Sequence, residues 1–136
     1  MEKLYTAVVT AKGGRNGHIK STDGILNLHL SKPYEMNGQG GNTNPEQLFA
    51  GAWGACYLGA LGSIAKKSGV DVSEATADVH VTLNTEGNGF KLSAEIDVHI
   101  PGIAIEEAQK LADLTHRFCP YSKATSNNME VRVSAI

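Results

Sequence analysis

The chain has 136 residues, 41% of them apolar and 19% charged, a balance that suits one globular domain, 1–136, with its own core. A formal charge of -2 offers no concentrated cation to nucleic acid or an anionic membrane, so neither is expected as a partner. The most apolar run, residues 48–65, is broken by four glycines mid-chain, which fits a buried helix better than a membrane span.

MEKLYTAVV lacks the cationic start and apolar core of an export signal, so a reducing cytoplasmic home is the expectation. Residues 3–11 are β-branched and aromatic and predict a strand, followed by a turn at GGRNG (13–17). HIKSTDG predicts a short strand and turn, and ILNLHL (25–30) alternates as a half-buried strand does. Residues 31–43, rich in glycine and asparagine, predict a loop. A helix begins at residue 44, with Asn44 as N-cap, Pro45 at the first helical position and Gln47 where a capping box places it. It runs to about Lys67 and stops at Ser68-Gly69. Its glycines each cost roughly 1 kcal/mol relative to alanine, which predicts that another backbone approaches closely.

Residues 75–85 and 90–100 alternate with period two around EGNG and predict a hairpin. Residues 103–118 carry acids early, bases late and apolar residues at near-helical spacing, a second helix that Pro120 ends. MEVRVSAI predicts a last strand. The order predicts an α+β fold with mainly antiparallel sheet and two principal helices.

Two cysteines, Cys56 inside the apolar helix and Cys119 in RFCPYSKAT, have no C-x-x-C spacing. Either both are small core hydrophobes, or they are a reactive thiol and its resolving partner. An ordinary thiol is only about 3% ionised at pH 7, so a nucleophilic Cys56 needs a nearby cation. Arg15, flanked by glycines, is the candidate, and a guanidinium lowers a thiol's pKa by about 1–3 units. Glu46 alone opposes a thiolate, so its useful role is to orient Arg15 through a bidentate pair. Ten helical residues span about 15 Å, so a site using both Glu46 and Cys56 requires a bent helix or a second subunit. We read this as a composite site at a homodimer interface. Phe49, Trp53, Phe118 and Tyr121 are candidates to line an apolar pocket. The histidines form no short metal spacing with a cysteine, and His18 borders GGRNG.

GGRNGHIKSTDG, GGNTNPEQLFAGAWGACY and FCPYSKATSNN, in this order and spacing, resemble the organic hydroperoxide resistance protein family across essentially the whole chain. This is the peroxidase branch of the superfamily that includes the osmotically inducible protein. The resemblance implies a thiol-dependent peroxidase acting on organic hydroperoxides, in the oxidative stress response. Cys56 is then the peroxidatic cysteine, Cys119 the resolving one, and Arg15 and Glu46 the activating pair. An intertwined α+β homodimer and a lipoylated protein as reductant are implied, with no metal, flavin or haem. GAWGAC and SKATSNN depart from the usual family pattern, which bears on the substrate pocket. Rival readings are the osmotically inducible branch, a redox-sensing dimer without turnover, and a binding module with inert cysteines.

Overall fold

The computed structural model describes all residues, 1–136, which form two compact units, Met1–Leu48 and Phe49–Ile136. In the first, β1 (Val9–Lys12), β2 (His18–Ser21) and β3 (Asn27–His29) make an antiparallel meander in sequence order. The strands expected over 3–11 and 25–30 are shorter than their composition suggests. Pairing starts only at Val9, opposite Ser21 where β2 ends, and β3 starts only at Asn27, opposite Lys20. The turn between β2 and β3 consumes the preceding residues, with Ser21 N–H donating to Leu26 C=O at 2.8 Å and Gly24 at φ +76°. β3 is exposed along its whole length, so the half-buried strand is not found within this unit. The loop over 31–43 is tied around Ser31, whose hydroxyl donates to Gly40 C=O and accepts from Asn42 N–H. It contains a 3-10 turn at Tyr34–Met36.

Helix α1 (Pro45–Ser68) starts in the first unit and carries most of its length in the second. Asn44 Oδ1 accepts from Gln47 N–H at 2.9 Å, as a cap does. The Gln47 side chain takes its bond from Thr43 Oγ1, so the capping box is only half made. In the second unit β4 (Thr76–Glu86) and β5 (Gly89–His99) pair antiparallel from Thr76↔His99 to Glu86↔Gly89, joined by a two-residue turn. β6 (Glu130–Ala135) adds parallel to β5, giving the order β4-β5-β6. Helix α2 (Ile105–Phe118) precedes a short helix that sequence reasoning did not anticipate, α3 (Pro120–Thr125). Six residues are too few for periodicity to show, and a proline ending one helix serves here as the first residue of the next.

The core of this unit joins Trp53, Tyr57, Leu61 and Ile64 of α1 to Ala94, Ile96 and Val98 of β5 and Ala108, Leu111 and Ala112 of α2, with Cys119 among them. α1 is long and apolar enough to cross a membrane, and a third of its apolar window, including Trp53, Tyr57, Leu61 and Ile64, is buried within the chain. Only Gly54 of its glycines has the close neighbours expected: a Cβ there meets Val79 Cγ2 at 3.4 Å and Ala77 C=O at 3.7 Å. Gly51, Gly59 and Gly62 face open space within the chain.

Candidate active site

The four candidate residues fall into two pairs, one in each unit. Arg15 sits at the tip of the β1–β2 hairpin, where Lys12 and His18 close a tight turn. Gly13 (φ +84°) and Gly14 (φ +64°) take left-handed backbone, and a Cβ on Gly17 falls 1.9 Å from Lys12 C=O, so this turn tolerates no larger residue there. Asn16 Oδ1 accepts from Lys32 N–H at 3.0 Å and ties the tip to the following loop. The guanidinium then meets Glu46, in the first turn of α1, as a fork: Nη1 to Oε2 at 2.8 Å and Nη2 to Oε1 at 2.7 Å. The hydrogen bonds from Arg15 hold the Glu46 carboxyl below its usual range despite partial burial, and Glu46 holds the proton on Arg15. The bidentate contact expected between these two side chains is present.

Cys56 lies half-buried on α1, and Cys119 is fully buried at the joint of α2 and α3; both are free thiols. Cys119 is the single extended residue between the two helices (φ −57°, ψ 125°). Burial pushes the Cys56 thiol above its ordinary pKa, and the neighbouring Cys119 side chain pushes it further. The backbone N–H of Tyr121 acts in the opposite direction. The fold therefore brings the two cysteines together. Within this set only the Tyr121 N–H favours the Cys56 thiolate. Fully buried Tyr57, whose hydroxyl donates to Ala112 C=O, is likewise raised by burial, by Asp113 and by Cys119.

The aromatic pocket needs correction. Phe49 and Tyr121 do line a common cleft of 660 Å³, with Phe90, Leu92 and Met129. Trp53 is instead fully buried, edge-on to Phe49, with its indole N–H donating to Ser122 Oγ at 3.0 Å. Phe118 is 57% exposed, lines a different depression, and has Lys123 Nζ 5.7 Å above its ring. Phe90 and Leu92 were legible: they continue the period-two face of β5 that carries Ala94, Ile96 and Val98 into the core. His18, just after the Arg15 turn, packs its ring against His29 at 4.9 Å. His80 pairs with Asp97, and His99 meets the carbonyl of Ile136.

The OsmC-like protein family matches this chain over residues 38–134. The organic hydroperoxide resistance protein OhrB of Bacillus subtilis is 43% identical over 132 residues, covering 96% of both chains. Its crystal structure superposes with a TM-score of 0.90 at 38% identity, over 98% of this chain and 100% of that one. The organic hydroperoxide resistance protein of Xanthomonas axonopodis pv. citri is 41% identical over 133 residues, 96% of this chain and 94% of its own. A crystal structure of an organic hydroperoxide resistance protein from Legionella pneumophila matches with a TM-score of 0.92 and 41% identity, over 98% of each chain.

Proposed function

This chain belongs to the organic hydroperoxide resistance branch of the OsmC-like family, and from that membership we propose that it is a cysteine-based peroxidase reducing organic hydroperoxides to alcohols. The observation that carries the reading is the convergence of two free thiols 63 positions apart in sequence: Cys119 lies in the core, Cys56 packs against that core, and Cys119 is among the groups that raise the Cys56 thiol.

The Cys56 thiolate attacks the distal oxygen of ROOH. The O–O bond breaks, the alkoxide leaves as ROH on taking a proton, and Cys56 becomes a sulfenic acid. The Cys119 thiol then condenses with it: an S–S bond forms, the S–O bond breaks, and hydroxide leaves with the thiol proton as water. A dithiol reductant, a dihydrolipoyl group on a partner protein in our reading, restores both thiols by exchange and becomes a disulfide itself. Arg15, oriented by Glu46, supplies the positive charge that Cys56 lacks among its own neighbours and steadies the charge developing on the peroxide oxygens. Both pairs serve one catalytic domain, 1–136. The site is composite: the Arg15–Glu46 pair of one subunit faces the cysteines of its partner in a homodimer. The apolar cleft lined by Phe49, Phe90, Leu92 and Tyr121 takes the organic tail and favours bulky hydroperoxides over hydrogen peroxide. A reducing cytoplasm is the compartment in which such a thiol cycle is sustained.

The deciding experiment is intact mass and thiol count after one equivalent of cumene hydroperoxide. The wild type should lose two hydrogens, and Cys119→Ser should accumulate a trappable sulfenic acid at Cys56. Free, unreactive thiols in folded protein sink the reading. Disulfide formation without turnover on dihydrolipoamide would point to a redox sensor, and equal rates on hydrogen peroxide to the osmotically inducible type.

A further inference from the structure

Two ring nitrogens from two different helices converge on the buried hydroxyl of Ser122, in α3. Trp53 Nε1–H of α1 donates to its Oγ at 3.0 Å, and His116 Nδ1 of α2 lies 2.9 Å from the same atom. An indole N–H can only donate, so Ser122 accepts from Trp53 and keeps its own hydrogen. Burial holds His116 below its ordinary pKa against the pull of Asp113. The neutral ring shares one hydrogen bond with the Ser122 hydroxyl through Nδ1. The result is a relay of two hydrogen bonds that joins Trp53, Ser122 and His116 through one hydroxyl.

Its location is what gives it consequence. His116 stands three residues before Cys119 and Ser122 three after it, while Trp53 stands three before Cys56. Three residues make almost one helical turn, so Trp53 shares a side of α1 with Cys56, while His116 and Ser122 flank Cys119 from the two helices that it joins. Cys119 is the whole connection between α2 and α3. Its N–H is bonded back to Thr115 C=O at 2.8 Å, and its C=O is bonded forward by Lys123 N–H at 2.9 Å. The angle between the two helices, and with it the direction of the Cys119 side chain, turns on this one residue. The His116–Ser122 bond crosses the joint and closes it; the Trp53–Ser122 bond fixes the closed joint to α1, which carries Cys56.

We propose that Trp53, Ser122 and His116 are positioning residues for the resolving step: their relay across the α2–α3 joint holds the Cys119 thiol where it captures the Cys56 sulfenic acid before a second peroxide does. This rests on the peroxidase reading above. Disulfide closure demands Cβ atoms roughly 3.5–4.5 Å apart and a restricted dihedral. A misplacement of about 1 Å costs on the order of 100-fold in a reaction between held groups.

The test oxidises reduced protein with one equivalent of cumene hydroperoxide in the presence of dimedone and reads the ratio of disulfide to sulfenic adduct by intact mass. Ser122→Ala and Trp53→Phe should each lower that ratio at least tenfold. The double variant should fall no further than the lower single one, because both changes break one relay. His116→Asn, which keeps a polar atom near the place of Nδ1, should restore most of what His116→Leu loses. A merely structural role lowers the unfolding temperature without moving this ratio. Ratios within twofold of wild type in folded Ser122→Ala and Trp53→Phe overturn the proposal; if Ser122→Ala does not fold, Trp53→Phe, which keeps an aromatic ring in place, decides alone. A wild type that forms neither adduct nor disulfide fails the peroxidase reading itself, an outcome separate from any effect of the variants.

Discussion

At the scale of single residues, the central tension is a proposed nucleophile, Cys56, whose immediate neighbours all but one oppose its ionisation. Burial and the adjoining thiol raise Cys56, and one backbone N–H is a weak counterweight. In the proposed composite site Arg15 resolves this, so Arg15→Met should slow alkylation of Cys56 by iodoacetamide at pH 7 roughly tenfold, with a parallel fall in peroxide reduction. Lysine is not an equivalent replacement, because it cannot make the two-pronged contact with Glu46. Glu46→Gln removes half of that contact and should cost about 1 kcal/mol of stability at neutral pH. The pH dependence has a definite sign. Glu46 is held below its ordinary range, so its contribution is complete above the unfolded carboxylate pKa and is lost as pH falls through the lower folded value. Urea unfolding of wild type and Glu46→Gln should therefore differ at pH 7 and converge under acid. A gap that stays constant with pH excludes the ion pair as its source.

At the scale of elements, what could be read from the sequence followed from local chemistry. Asn44, Pro45 and the terminal Ser68-Gly69 mark α1 almost to the residue, because capping is settled within one turn. Gln47 stands outside the cap it was expected to complete, so Asn44 acts alone. Asn44→Ala should cost about 1 kcal/mol in urea unfolding, whereas Gln47→Ala should be close to silent. The hairpin of β4 and β5 was equally legible from its alternation and its turn. Less legible were features decided by partners distant in sequence: where β1 starts depends on where β2 ends, and whether Trp53 faces a pocket or the core depends on Ser122, 69 positions away. The same holds for α3. Its proline reads as a stop from one side and a start from the other, and only the buried Ser122 shows why a second helix is worth forming. His116 gives that element a pH dependence. With its folded pKa lowered mainly by burial, its neutral form stabilises the protein above the unfolded histidine value, and this is lost as pH falls through the folded one. His116→Asn should flatten the fall in unfolding temperature between about pH 7 and pH 5, the window set by an ordinary histidine pKa near 6.5.

At the scale of the whole molecule, the surfaces left open within one chain argue for a second copy. No residue of β1 or β3 is buried, and Leu4, Tyr5, Val8 and Ile25 stand in solvent. Sheets that bury neither face are not stable alone. On α1, Gly51, Ala55, Gly59 and Ser63 form a line of exposed small residues four apart, and a Cβ on Gly51 or Gly59 meets nothing within 4 Å. Glycine in a helix interior facing only water is a cost of roughly 1 kcal/mol each without return, unless a backbone comes close. In the proposed homodimer the partner helix supplies one. Opposite outcomes follow from substitution at one position. In an isolated chain Gly59→Ala stabilises the helix by several tenths of a kcal/mol or more, and Gly59→Leu is harmless. In the dimer, Gly59→Leu drives two helices apart. We expect wild type to sediment at twice the 14.4 kDa of one chain at micromolar concentration, and Gly59→Leu to dissociate at concentrations at least tenfold higher than wild type. Peroxidase activity should fall with dissociation and return as concentration is raised, because in the proposed composite site each cysteine pair relies on the Arg15–Glu46 pair of its partner. A fully active monomer would place both pairs in one subunit and remove the composite site.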